Sequence, residues 1–390
     1  MLTRPIPLLT ATIGVVGANS LVLPPIATVV AQDLGAQPGD IIQAMGAYGA
    51  GTALSALVLA PRADLIGADK ALRQACLLLI LSLILSALAP VVAVLLIAHA
   101  IAGLGAGMAL PAIYSLAAQV GPVGREKQTI GTVLTGWTLS LVGGVVLAAS
   151  LADIAGWRSV YTLMAGVTGA IWLLLGRCDM RVTMTATAPT SPLTGLRVPG
   201  ITRGLFSNAM LMLGFFGAYS FMGPHVVDTL EMTTSAAGLV TFAYGSGFGL
   251  AVFLDRFVDR MPARRATLLG FAGLLVSYTA MALSASQFGL LLAAAFLWGI
   301  FQHFGLNAVV ARLTALDPKQ RGAIMGLNSA STYLCVLGGA MVFRFPFEAA
   351  GLSACLGVSA LCAALACIEA ILPCPTCSDG APSGRPDARA

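Results

Sequence analysis

The chain has 390 residues, of which 58% are hydrophobic and only 9% charged, and its formal net charge is +5. A soluble domain carries roughly 25% charged residues, so this chain lacks the groups to cover a water-exposed surface. Soluble, disordered and fibrous classes are poor readings. A polytopic membrane protein is the strong one, since about 20 largely apolar residues cross the hydrocarbon core as a helix.

The first apolar run covers 6–31, after Arg4. It is too long for an isolated signal-peptide core and no small-residue cleavage site follows, so it reads as a retained span. Pro24 and Pro25 should bend or break it near its outer end. Further runs fall at 41–60, 72–90, 92–119, 128–150 and 157–176. A polar stretch, 177–203, holds Pro189, Pro192 and Pro199 and reads as a flexible linker. The remaining runs are 204–227, 235–255, 266–285, 287–311, 322–344 and 347–372, before a Pro-, Gly- and Ser-rich tail at 373–390. All spans should be α-helical, because lipid offers an unpaired backbone group no partner. The expected fold is therefore an all-α polytopic protein of twelve transmembrane helices. Its units are an N-terminal six-helix bundle (1–176), a cytoplasmic linker (177–203), a C-terminal six-helix bundle (204–372) and a flexible cytoplasmic tail.

Charge sets the orientation. With both termini cytoplasmic, only Arg158 and Arg344 of the 21 Lys and Arg face outward, while Asp33, Asp40, Asp153, Asp228, Glu231 and Glu348 fall in outer loops. That is the positive-inside bias. The sequence also repeats. Asp64 and Asp259, Lys70 and Arg265, Gly131 and Gly326, Gly143-Gly144 and Gly338-Gly339, and Gly156 and Gly351 stand 195 positions apart; Gly103 and Gly299 stand 196 apart. Two similar halves suit a carrier that rocks about a central site.

Twelve spans, a repeat of six and a basic loop after the second span of each half resemble the major facilitator superfamily over residues 6–372. The family loop between helices two and three reads G-x-L-A-D-R-x-G-R-K. Asp64 and Gly67 match it, with Lys70 and Arg73 a little later; the second half offers Asp259, Arg260, Arg264 and Arg265. In the family this loop is associated with gating. Physically, a carboxylate at a helix end can hold a basic residue in one conformation and release it in another. Asp64 with Arg125 or Lys127 is the candidate latch; enforcing topology and solvating the loop is the alternative. Gly143-Gly144 match part of the family's antiporter element, but Leu139-Ser140 stand where it has Gly-Pro. Trp157-Arg158 after Gly156 also resemble the family and read as an interface anchor.

The resemblance further implies that the first and fourth helices of each half line a cavity. Related antiporters carry an Asp where this chain has Asn19, and often an Arg where it has His99, ahead of Gly103, Gly105 and Gly107. The glycines allow close helix packing. His99 is either a proton or substrate contact or a neutral imidazole with one interhelical hydrogen bond. Helix ten carries Trp298, Gln302, His303 and Asn307, each pair four apart on one face. The candidate substrate and proton path is thus Asn19, His99, Asn208, Tyr219, Trp298, Gln302, His303 and Asn307. Phe215, Phe216 and Phe221 are candidate apolar walls. No acid sits clearly at mid-span; Glu369 is near a span end. Proton coupling would need a His, among His99, His225 and His303, or a carboxylate near a loop.

The expected function is secondary transport of a small neutral, weakly basic or amphipathic molecule, exported by alternating access, with possible exchange for protons. Proton-independent facilitation or uptake of a polar metabolite is the alternative; a non-transporting sensor or scaffold is more remote. No filter, nucleotide-binding loop, nucleic-acid patch, enzyme site or cofactor is indicated. The eight Cys read as small hydrophobes, and Cys374-x-x-Cys377 lacks further metal ligands. The expected partners are a solute and the lipid bilayer, with the monomer as functional unit. An Arg-rich, Lys-poor composition points to a bacterial inner membrane.

Overall fold

The computed structural model describes residues 5–59, 66–122, 124–178, 192–258 and 260–372. Helix α1 (Pro5–Leu21) meets α2 (Leu23–Leu34) at a bend of 54°, and Pro24 and Pro25 occupy the first turn of α2. A proline there costs no hydrogen bond but cannot continue the preceding helix, so the break falls where the prolines require it. Then follow α3 (Pro38–Val58), α4 (Ala68–Ala87), α5 (Val92–Val120), α6 (Glu126–Leu139), α7 (Val145–Ala155) and α8 (Trp157–Leu175). A π turn, Ser140–Gly144, joins α6 to α7. The later portion holds α9 (Ile201–Pro224), α10 (Thr234–Ala251), α11 (Asp255–Val258), α12 (Ala263–Leu283), α13 (Phe288–Leu316), α14 (Arg321–Val342) and α15 (Arg344–Ile371).

Eleven helices or joined helices among the described residues are long and apolar enough to cross a membrane, and α1 with α2 makes twelve. Two expected boundaries move. α9 begins at Ile201, and Pro192–Arg197 form a short 3-10 helix against α14, with Pro192 at Gly326 and Gly195 at Leu327. The later part of the expected linker is thus packed structure. The last span is interrupted at Ala350 and Gly351, where Gly351 takes φ 69°. Its partner in the repeat, Gly156, takes φ 79° between α7 and α8. Only glycine visits this region without strain, so the repeat preserves a break as well as helices.

Large apolar side chains such as Ile154 (85% exposed), Leu147 and Leu361 point outward. Such a surface suits lipid rather than water. Alternation of the spans puts residues 5, 178, 192 and 372 at one end, here the terminal face; the α2–α3 turn lies at the distal face.

Packing repeats residue by residue. A Cβ on Gly51 would meet the Ala100 carbonyl at 2.3 Å, and one on Gly247 the Phe296 carbonyl at 1.9 Å. Gly103 lies equally close to the Tyr48 carbonyl and Gly299 to that of Tyr244, at 2.1 and 2.0 Å. These two contacts of the first portion, 5–178, recur 196 positions later. Gly49 faces Val336 on α14 as Gly245 faces Leu141. The main contacts between the portions are therefore α3 with α14, α7 with α10 and α2 with α9.

Candidate functional site

A cavity of about 170 Å³ lies between the two portions. An engineered cavity of about 150 Å³ holds benzene, so this one accepts a small organic solute. Ser20, Leu21, Tyr48, Trp137, Leu141, Met212, Phe215, Phe216, Tyr244, Phe248, Gln302, Leu306, Thr332, Tyr333 and Val336 line it. Many are repeat partners: Ser20 with Phe215, Leu21 with Phe216, Tyr48 with Tyr244, Trp137 with Thr332, Leu141 with Val336. The cavity sits where the related halves of the sequence meet.

Its wall is aromatic. Phe215 lies 5.2 Å from both Tyr244 and Trp298 and stacks on Tyr219 at 5.6 Å. Tyr48 and Tyr333 meet edge-on at 6.5 Å. Tyr48 Oη and Gln302 Oε1 are buried without a hydrogen-bond partner. Groups so placed cost free energy unless a solute or water bonds them.

The structure distributes the expected site residues unevenly. Gln302 lines the cavity. Trp298 stands behind it, donating from Nε1 to Tyr278 Oη at 3.1 Å. Tyr219 donates to the Leu21 carbonyl at 2.8 Å and lies 3.1 Å from Thr241 Oγ1, tying α9 to the first portion. Asn19 is buried beside the lining pair Ser20 and Leu21, its Nδ2 unpartnered. Asn208 reaches α14, donating to Thr332 Oγ1, itself on the cavity wall, at 3.1 Å and to Ser331 Oγ at 3.3 Å. His99 is buried against α8: Nδ1 lies 3.0 Å from the Leu95 carbonyl and Nε2 3.4 Å from Tyr161 Oη. It is not among the lining residues. His225 bonds the Ala285 carbonyl at 2.9 Å.

His303 and Asn307 come together with a residue the sequence did not single out. His303 Nε2 lies 2.9 Å from Asp255 Oδ1, 3.1 Å from Oδ2 and 2.9 Å from the Asn307 amide. A second missed cluster is ionic. Glu369 receives Arg203 Nε at 2.5 Å, Arg312 Nη1 at 2.7 Å and Nη2 at 2.8 Å, and Ser207 Oγ at 2.8 Å. It ties α9, α13 and α15 together near the terminal face.

Of the gating candidates, Asp64 and Asp259 lie outside the described residues. Gly67 precedes α4 with φ 94°. Lys70 is exposed on α4, Arg125 precedes α6, and the Lys127 backbone lies in α6. Arg260 and Arg265 are exposed beside the start of α12. Outside the spans, Glu126 accepts from the Gly124 N–H at 2.8 Å, which lowers its pKa. Among the packing glycines, a Cβ on Gly105 would meet Ala75 O at 3.0 Å, on Gly107 Ser55 Cβ at 2.5 Å, and on Gly339 Gly217 N at 2.9 Å. Gly144 and Gly338 are in ordinary or slightly tight contact, while Gly143 has open space.

Hydrogen bonds between the portions cluster toward the distal face. Arg344 Nη1 donates to Asp40 at 2.7 Å, Thr28 to Asp228 at 3.0 Å, and Gln43 to the Ala340 carbonyl at 3.0 Å. Asp153 accepts from the Thr234 and Ser235 amides at the start of α10, at 3.2 and 2.7 Å. Trp157 is buried rather than at a lipid interface; with Arg158 it bonds Asp33, inside the first portion.

A bundle of membrane-spanning helices around a central, largely apolar cavity is the build of a solute carrier. The chain belongs to the Major Facilitator Superfamily, whose model matches residues 8–202 and 204–389. It is thus an integral, multi-pass secondary transporter of the alternating-access type, a transport rather than an enzymatic role. It is 26% identical over 374 residues to the uncharacterized MFS-type transporter YwfA of Bacillus subtilis, covering 93% of this chain and 90% of that one. A probable sugar efflux transporter of Mannheimia succiniciproducens is 25% identical over 76% of this chain and 75% of its own length. A chloramphenicol resistance protein of Streptomyces lividans is 27% identical over 56% of this chain and 57% of its own. The crystal structure of the human organic anion transporter TETRAN matches with TM-score 0.73 at 15% identity, over 94% of this chain and 99% of that one.

Proposed function

We propose that this carrier exports a small uncharged, weakly basic or amphipathic molecule bearing an aromatic or other flat apolar face. The supporting observation is the central cavity: an aromatic wall, two unpartnered polar atoms at Tyr48 and Gln302, and no ionised lining side chain. An apolar pocket with few convergent polar groups suits such a solute, and one lacking charge does not offset a dianion or dication. Two six-helix units, 1–176 and 204–372, rock about this cavity. The terminal face is cytoplasmic by the positive-inside bias. The distal bonds then hold the outer side closed, in a state that takes solute from inside. Relatives named for sugar efflux and chloramphenicol resistance support the outward direction.

Flux of radiolabelled chloramphenicol and of lactose in vesicles holding the purified chain tests this. Saturable movement of chloramphenicol, weakened by Gln302→Leu, is expected. Movement of lactose alone would overturn the substrate class in favour of a sugar carrier.

A further inference from the structure

We propose that the Asp255–His303 pair, braced by Asn307, is the exchangeable proton site of this carrier. The inference rests on the carrier reading above but not on its substrate class.

The geometry fixes the hydrogen bonding. The Asp255 carboxylate can only accept when ionised, so Nε2 of His303 carries the hydrogen and donates to it. The Asn307 amide lies 2.9 Å from the same Nε2, and with its oxygen assigned to that side it accepts from this N–H. That leaves Nδ1, which is buried and has no partner. Protonation places one proton from water on the Nδ1 lone pair, and release returns it to water; no other bond changes. In the state seen here an Nδ1–H would lack an acceptor. The carboxylate beside Nε2 makes a cationic ring tolerable once Nδ1 finds water or an acceptor in another state.

The pair reaches the molecular surface and has a link to the solute. Asp255 has 30% of its side chain exposed, whereas His303 has 8%. Phe248 lines the cavity and also stands perpendicular to the imidazole at 5.0 Å. Gln302, the neighbouring residue, lines the cavity too. A solute that displaces Phe248 therefore changes the packing of His303.

Nearby cations on the surrounding helices have other partners. Arg312 on α13 and Arg203 on α9 bond Glu369. Arg264 on α12 bonds the carbonyls of Ala370 and Ile371. Arg256, next to Asp255, lies over the Phe257 ring at 4.7 Å, and Arg321 on α14 reaches the Thr314 carbonyl at 3.4 Å. Arg260 and Arg265 are exposed beside α12. The repeat marks the site as an addition. Asp255, His303 and Asn307 occupy the positions of Leu59, Gly107 and Pro111, so the first portion has no such set.

Two measurements test the proposal. In vesicles clamped at zero potential, one pH unit should drive about tenfold accumulation of radiolabelled chloramphenicol for one proton per solute. Asp255→Asn and His303→Gln should abolish that accumulation while keeping solute-for-solute exchange. Gradient-driven accumulation persisting in either variant overturns the proposal. So does a wild type that exchanges solute but ignores the gradient, and in that case the carrier reading stands.

The second measurement needs no solute. The chain has three histidines. In ¹⁵N-histidine-labelled protein in nanodiscs, the His303 signal, assigned by His303→Gln, should show the hydrogen on Nε2 and lose that preference in Asp255→Asn. A His303 ring that carries its hydrogen on Nδ1, or a signal that ignores Asp255→Asn, overturns the proposal even if chloramphenicol never moves.

Discussion

The first and second portions share backbone contacts but not chemistry. Gly51 and Gly103 bring α3 against α5 as Gly247 and Gly299 bring α10 against α13. On that common scaffold the first portion places Leu59, Ala102, Ala106, Gly107 and Leu116 where the second places Asp255, Trp298, Gln302, His303 and Arg312. One portion is built for packing; the other carries most of the polar and ionic groups near the cavity. The difference teaches that a repeat can conserve a way of crossing helices while one copy specialises. Chemistry is then sought on the side that departs from the repeat.

The largest expected effect breaks the shared part. Gly299→Val would force a side chain into the Tyr244 carbonyl, with its Cβ 2.0 Å away, and Gly103→Val would do the same at Tyr48. Overpacking typically costs about 1–3 kcal/mol and more against backbone, so folded yield by size-exclusion chromatography should collapse for both. Gly143→Ala, with nothing within 4 Å, should leave it unchanged.

The next effect is confined to the second portion. Glu369→Gln leaves Arg203 and Arg312 facing a neutral amide. Breaking a largely buried ion pair costs about 3–5 kcal/mol. The Glu369 side chain is 10% exposed, so the upper part of the melting curve should shift clearly downward. An unchanged curve would show that the cluster is not holding α9, α13 and α15 together.

A smaller effect sharpens the cavity reading. Gln302→Leu removes one hydrogen-bonding group and should raise the half-saturating solute concentration about 2- to 10-fold, the worth of a neutral hydrogen bond. Smallest is the distal latch. Arg344→Gln removes the half-exposed bond to Asp40, worth about 0.2–1 kcal/mol, so thiol labelling at the distal mouth should rise at most about fivefold.

Much of the fold was legible because lipid leaves few choices. Apolar runs marked the spans, and Pro24-Pro25 marked the bend. The interruption at Gly351 was hidden, because a single glycine in an apolar run looks like any packing glycine. The site was legible only in part. Gln302, singled out because polar residues are costly in lipid, lines the cavity. Tyr48, Trp137, Tyr244, Phe248 and Tyr333 were missed because aromatics in spans usually serve packing, yet the 196-residue spacing of Tyr48 and Tyr244 was a usable signal. Asp255 and the partners of Glu369 were missed because they stand near span ends, where a charge reads as topology. Only the meeting of helices distant in sequence reveals their pairing.

The most direct test of the account is the distance between spin labels across each face with and without chloramphenicol, using Ala36→Cys with Glu231→Cys at the distal end and Gln119→Cys with Thr314→Cys at the terminal end. The account predicts changes of opposite sign: the distal pair separates as the terminal pair closes. Distances that do not respond, or that move together, would contradict alternating access about the central cavity.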